Sequence, residues 1–401
     1  MSDPRAVSGD PHTRPISGLH LSILFGAAML YVGVTLPFFP VFLAGQGLTD
    51  SQISIILTIP MLTRLVGNPV VTAIADRRSG LARTLAFSAV ASMLLSAGLV
   101  FTQGFWPLAL LVCLLALAQG PMLPLADALT LSEVRRRLDM GEKPLDYGRT
   151  RVWGSATVFA AMLLGGWTIG LLPTSGIAWL IAAASFAPIA PALLLARREG
   201  RHAPARGTHR PTRPLGRLRI IAVLVVSAGA VQASHAMYYS FASLHWQAKG
   251  LSSGFTGAAW ALGVGAEIAF FLAAGRWFGG EAKARAFLFV GAAGSILRWL
   301  AMMADPSPPV LLALQTMHAL TFAATHLGSV YLLASLAGSA HRAQAQGWLA
   351  ASVSLGLAVA TLVIGQVYAD WGERTYGLMA GLAAIGFGGF AIVAKLTKPK
   401  Q

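Results

Sequence analysis

A chain of 401 residues that is 55% hydrophobic and only 11% charged is not composed like a soluble domain, which carries about 25% charged residues. Its net charge of +15 would suit nucleic acid or an anionic surface, but the placement of the basic residues assigns that charge to membrane topology instead. One cysteine, Cys113, excludes a disulfide framework and a cysteine-based metal site.

Residues 1–17 are polar and read as a tail. No Asp, Glu, Lys or Arg stands between Arg14 and Asp50. A spanning helix needs about 20 apolar residues, so a first span is predicted over 18–44, too long for a signal-peptide core and acting as its own insertion signal. Further spans are predicted over 51–75, 84–102, 106–131, 150–172, 176–196, 218–245, 253–276, 285–303, 308–336, 344–368 and 375–395. Turn chemistry marks the breaks at Thr102–Pro107, Pro173–Gly176 and Asp305–Pro309. Gly120, Pro121 and Pro124 predict a bend in the fourth span. The expected fold is therefore an all-α membrane protein of twelve transmembrane helices. Six-helix halves at 18–196 and 218–396 are joined by a linker at 197–217, and 397–401 forms a second tail. The linker is rich in Arg, Pro, Gly and His and has no apolar face to bury.

The basic residues alternate in the way a membrane demands. Of the 30 Lys and Arg, 26 fall in the N-terminal tail, the even-numbered connections with their flanking helix ends, and the C-terminal tail. The odd-numbered connections hold two, Lys249 and Arg374, and two more, Arg64 and Arg298, lie inside spans. Lys and Arg accumulate on the cytoplasmic side, which places both termini and the linker in the cytoplasm. The partner implied is the lipid bilayer, and no nucleic-acid partner is expected. Arg outnumbers Lys 24 to 6, which points to a GC-rich bacterial genome and hence to a bacterial inner membrane.

The two halves repeat weakly. Leu36–Asp50 and Tyr239–Ser253 both end a span and lead through Gly-Leu-Thr or Gly-Leu-Ser into the next. The offset of 203 sets Arg64 of the second span against Glu267 of the eighth. Duplicated bundles with a binding site near midplane are a common transporter design. The whole chain resembles the major facilitator superfamily. Asp76-Arg77-Arg78-Ser79-Gly80 resembles the loop motif after its second helix, with Thr72 in place of the leading glycine. Pro37-Phe-Phe-Pro40, Asp127, and Asp146-Tyr-Gly-Arg-Thr-Arg-Val-Trp-Gly-Ser155 resemble the phenylpropionate permease family and the related lactose permeases. So do Glu267, Arg298, His318 and His326.

Ionisable groups inside a bilayer are costly and usually face a cavity or a partner. Asp127 and the pair Arg149 and Arg151 lie at similar depth in the fourth and fifth spans. Their residue types alone allow a structural ion pair, with arginines snorkelling to the headgroups, as readily as a substrate site. The resemblance implies the latter for Asp127 and Arg151. Glu267 lies near the middle of the eighth span among apolar and small residues, as a proton carrier or a helix-joining ion pair would, with Trp260 on the same face for substrate. His318 and His326, eight residues apart with Thr321, Thr325 and Ser329 nearby, read as a polar cavity wall or as hydrogen-bonded packing. Arg298 lies toward the outer end of the ninth span, where snorkelling is open to it; the resemblance implies a coupling role with Glu267 and His318. Gln232, His235, Tyr238, Tyr239, Tyr31, Phe38 and Phe39 add polar and aromatic surface, each as readily core or lipid-facing.

Two departures shape the substrate expectation. Thr321 stands where lactose permeases have a second carboxylate, and Val158 where they have a tryptophan that stacks on sugar. Without that platform an aromatic carboxylate is expected rather than a sugar. The functional expectation is a proton-coupled symporter importing a small organic solute, working as a monomer, with no cofactor but the proton gradient and no metal. Its rivals are an exporter of drugs or metabolites, an intramembrane enzyme and a membrane sensor. No HExxH, GxSxG or P-loop pattern supports an enzyme, and no stretch reads as a soluble signalling domain.

Overall fold

A computed structural model of the chain describes residues 16–75, 80–198, 218–277 and 280–397. Asp76, Arg77 and nearly all of the predicted linker lie outside the described residues. Within them the chain is helical throughout, and eleven segments are long and apolar enough to cross a membrane. In order the helices are α1 (Gly18–Gly45), α2 (Asp50–Ile74), α3 (Leu81–Gly98), α4 (Phe105–Gln119), α5 (Met122–Asp139), α6 (Tyr147–Ile169), α7 (Gly176–Phe186) and α8 (Ile189–Arg198). Then come α9 (Leu218–Ala233), α10 (Ala236–Ala248), α11 (Ser253–Trp277), α12 (Glu281–Met303), α13 (Pro308–Thr316), α14 (Thr325–Trp371) and α15 (Tyr376–Leu396). The start of α2 shows how sharply an end can be set. Thr49 accepts from the Gln52 backbone N–H at 3.3 Å while the Gln52 side chain accepts from the Thr49 N–H at 3.0 Å, a reciprocal cap that satisfies two free donors.

Two features depart from the predicted spans, and a third follows them. The fourth span breaks at Gly120–Pro121 as expected, but its second piece, α5, runs to Asp139 rather than 131. The extension leaves the apolar zone because Glu133 takes Arg136 at 2.8 Å and Arg137 at 3.2 Å, supporting a polar helix. The predicted connection at 337–343 is a single kink at Gly338, φ 67° and ψ 175°, a backbone state open mainly to glycine. The last segment, Gln344–Leu396, has 53 residues. A 3₁₀ turn at Gly372–Thr375, with Gly372 at φ 52°, divides it into two helices close to the connection expected at 369–374.

The apolar residues form one shared core and two separate ones. Val34, Phe38, Phe42 and Ile53 from the first part of the chain pack in one cluster with Met237, Phe241, Ala360 and Ile364 from the second. This cluster lies toward the end that carries the connections near 46–49, 170–175 and 249–252. Toward the other end, Leu21, Leu24, Leu85, Leu125 and Leu195 form a core of their own, as do Ile221, Leu224, Leu288, Leu332 and Phe390. The molecule is therefore closed at the first end and parted at the second.

Glycine makes the closure possible. At the α6–α11 crossing, a Cβ on Gly166 would stand 2.5 Å from the Ser253 carbonyl oxygen and 2.9 Å from Gly257 Cα. At the α2–α14 crossing, a Cβ on Gly365 would stand 2.9 Å from the Asp50 oxygen and would overlap Ser54. Ser54 and Gly257 are 203 residues apart, as are the first residues of α2 and α11, Asp50 and Ser253. The two crossings thus occupy equivalent places in the repeat. Gly166→Val should force them apart, because overpacking costs about 1–3 kcal/mol and ~1.4 kcal/mol already shifts an equilibrium tenfold. In a Cys113→Ser background carrying Ala242→Cys, which the closed core buries, Gly166→Val should raise alkylation by a water-soluble maleimide at least about tenfold. An unchanged rate would mean that this crossing does not hold the end shut.

Candidate functional site

Arg298 of α12 organises the polar interior of the second half. It is fully buried, with 0% of its surface exposed, so it does not snorkel as its sequence position allowed. A guanidinium in such a place needs partners for its donors, and Nη1 and Nη2 have them while the buried Nε does not. Nη2 donates to Gln315 Oε1 at 2.8 Å, and Nη1 to Thr321 Oγ1 at 3.2 Å and to His318 Nδ1 at 3.3 Å. The cation also lies 4.8 Å from the Tyr238 ring and 4.7 Å from that of Trp299, within the range of cation–π attraction.

These contacts assign the histidine tautomers. An arginine can only donate, so His318 Nδ1 must accept and its proton must sit on Nε2. That N–H points to Glu267, with Nε2 3.6 Å from Oε2, just beyond hydrogen-bond length. His235 Nδ1 lies 3.1 Å from the Gln232 carbonyl, to which it must donate. Its Nε2 is then an acceptor for the Thr321 hydroxyl at 3.0 Å. Thr321 is therefore no empty place in the network: its oxygen accepts from Arg298 while its proton goes to His235. His318 cannot take a second proton while Arg298 occupies Nδ1, whereas Glu267 can.

Local irregularity brings these groups together. The α9–α10 break at Ser234–His235 turns His235 inward, and Ser234 accepts from Trp299 Nε1 at 2.9 Å. Between α13 and α14 the chain makes a π turn over Ala319–Ala324, which leaves the Phe322 carbonyl within 3.3 Å of Gln232 Nε2. π turns of this kind recur at functional sites. His318 and His326 both stack on Phe322, at 5.1 Å and 6.0 Å between ring centres. The predicted pair is thus split by a ring: His318 faces Arg298 and Glu267, while His326 is exposed. Trp260 stacks on Tyr238 at 4.2 Å and donates to Ser243 Oγ at 3.0 Å. It is 2% exposed, so it backs the site wall rather than lining the cleft.

In the first half, Asp127 of α5 and Arg151 of α6 meet at 3.4 Å, and Tyr147 donates to Asp127 at 2.8 Å. Arg151 is half exposed, and pairs of that kind contribute only about 0–1 kcal/mol, too little to explain them as a structural clamp. The Arg151 charge also acts on Glu267 and His326 in the opposite half. Arg149 is exposed and enters through its backbone N–H, which the helix-capping Asp146 accepts at 2.9 Å. The structure therefore gathers Glu267, His318 and Arg298 into one network and Asp127 and Arg151 into a pair facing it. Gln315, Thr321, Trp299 and the π turn were not singled out from the sequence as partners. Among the described residues no cluster of three His, Cys, Asp or Glu could hold a metal ion.

Known proteins share this architecture. The sequence profile of the MFS_1 like family matches residues 20–377. The chain is 29% identical over 360 residues to a protein of Escherichia coli (strain K12) described as a probable 3-phenylpropionic acid transporter, covering 87% of this chain and 90% of that one. It is 28% identical over 281 residues to a maltose permease of Geobacillus stearothermophilus, covering 68% of each. Among solved structures, the nucleoside transporter NupG superposes with a TM-score of 0.76 at 16% identity, over 94% of this chain and 99% of that one. A bacterial homologue of the human lysosomal transporter Spinster, inward-facing and unoccupied, superposes with a TM-score of 0.69 at 12% identity, over 94% and 96%. Family and fold are those of secondary transporters rather than enzymes.

Proposed function

The chain belongs to the MFS_1 like family, and from that premise we propose that this multi-pass membrane transporter is a proton-coupled symporter importing a small aromatic carboxylate. The observation that carries the coupling is the placement of Glu267. It is an acid within reach of solvent, beside a histidine whose protonation is fixed by Arg298. A carboxylate that loads a proton can be enclosed without burying a charge, while a bare one resists enclosure. Asp127, Arg151, Arg149, His326 and the wall that Trp260 backs would receive substrate; Glu267, His318 and Arg298 would couple it. The description of the Escherichia coli relative as a probable 3-phenylpropionic acid transporter supports an aromatic acid as cargo.

In this reading the 53-residue terminal segment crosses twice, giving twelve spans in two six-helix bundles at 18–196 and 218–396. The parted end is cytoplasmic, in keeping with the basic residues of the even-numbered connections. Asp76 and Arg77, by their likeness to the family's motif, would help the bundles rock, and a single chain suffices. Reporter fusions at Gly207 and Gln401 should both report cytoplasm, and a periplasmic signal from either would sink the twelve-span arrangement.

The function is tested by uptake of labelled 3-phenylpropionate into proteoliposomes with an imposed pH gradient, acidic outside. Protein-free liposomes correct for diffusion of the neutral acid. Accumulation well above the protein-free level, abolished by an uncoupler, is expected; equal uptake with and without the protein would refute the reading.

A further inference from the structure

Arg64 sits in the wall that faces Glu267. It stands fourteen residues into α2, as Glu267 stands fourteen into α11, and each lies ten residues beyond its crossing, at Ser54 or Gly257. Ten residues of helix are about 15 Å, which carries both side chains past the closed end to equal depth where the halves have parted. Arg64 is exposed, and so are Ile55, Leu62, Val66 and Val70. At 100° per residue those four form one stripe suited to lipid, and Arg64 projects from the opposite side of the helix. Tyr31 of α1 interacts with its charge on one side. On the other the side chain lies over Gly120, where a Cβ would stand 2.8 Å from Arg64 Cγ. Arg64 therefore looks into the cleft.

Its partners are what set it apart. Arg298 is enclosed by Gln315, Thr321, His318 and two rings, with only its Nε left without an acceptor. Arg151 is held by Asp127, and Arg149 lies at the exposed start of α6. Among the described residues no acid and no hydrogen-bond acceptor engages Arg64. A guanidinium deep in a bilayer without a resident counter-ion is costly, and its planar pair of N–H donors matches a carboxylate in two-point contact. We propose that Arg64 is the counter-ion for the substrate's carboxylate, with Tyr31 beside it, while Asp127 and Arg151 meet the rest of the substrate. This inference rests on the transport of an acid argued above and assigns the acid's charge to a residue.

The test uses purified full-length protein and a panel of benzoate, phenylacetate and 3-phenylpropionate, each beside its uncharged primary amide, read by thermal unfolding. At least one acid should stabilise the wild type more than its amide does. Arg64→Gln, unfolding alone within a few degrees of wild type, should bind that acid at least about thirtyfold more weakly, the scale of a lost charged contact. Arg64→Lys should recover part of the binding. Equal stabilisation of the wild type and Arg64→Gln by the acids, or no stabilisation of the wild type by any of them, would overturn the inference. Uptake separates the two readings: proton-driven accumulation by Arg64→Gln with an unchanged KM sinks the role of Arg64 alone. Arg64-dependent binding without proton-driven uptake upholds that role and sinks the coupling.

Discussion

Glu267→Gln should keep exchanging substrate between the two sides of the membrane and lose accumulation against a gradient altogether. Glutamine has the shape of the protonated acid and never releases a proton, so the carrier would cross between its open states whether or not a proton is available. The His318 Nε2–H, 3.6 Å from the Glu267 carboxylate, would meet an amide oxygen instead, so local packing should survive. Counterflow should stay within a few fold of wild type while steady-state accumulation falls to the equilibrium ratio. His318→Ala should weaken coupling more than His326→Ala, because His318 alone faces Glu267 while Phe322 separates His326 from it. Wild-type accumulation by Glu267→Gln would remove Glu267 as the carrier and move suspicion to Asp127.

Arg298→Ala should be the most damaging single change. It strands Gln315 Oε1 and His318 Nδ1, unties Thr321 from the network, and leaves a cavity beneath Tyr238 and Trp299. Unsatisfied buried polar groups cost about 1–3 kcal/mol each, and large-to-small changes in a packed core cost about 2–5 kcal/mol. The sum of several kcal/mol is comparable to the whole stability of many proteins. We expect a fall in the melting temperature of more than about 5 °C and no coupled transport. Arg298→Lys keeps the charge but not the planar fork, and should fold better than Arg298→Ala while still failing to hold His318 in its tautomer. An Arg298→Ala protein that melts and couples like the wild type would show that the network is ornamental.

The sequence was legible where physics is one-dimensional. Twenty apolar residues make a span wherever they stand, so most helix positions could be read directly, and Gly120–Pro121 announced its break. Glu267, Arg298 and His318 were recognisable because a charge or an imidazole inside a bilayer needs a reason. What stayed hidden depends on contacts across helices. Nothing local in Thr321 says that it bridges Arg298 and His235: in the sequence it is a polar neighbour of two histidines and a place without a carboxylate. The π turn that brings Phe322 between two histidines leaves no mark in composition. Gly338 could not be told from the many glycines that serve only close packing. The role of Gly166 and Gly365 needed the partner helix in place, and the free charge of Arg64 was visible only once the other arginines had found their partners.

Whether a proton moves with the substrate can be read by following the pH outside de-energised proteoliposomes when 3-phenylpropionate is added at neutral pH. At that pH the free acid is almost wholly ionised, since carboxyl groups titrate near 4, so diffusion of the neutral form is slow and the protein-free signal is small. If the carrier takes up a proton with each turnover, the medium should become transiently alkaline with the wild-type protein, remain flat with Glu267→Gln, and recover when an uncoupler is added. Entry of labelled substrate through the wild-type protein with no change in external pH would contradict proton coupling.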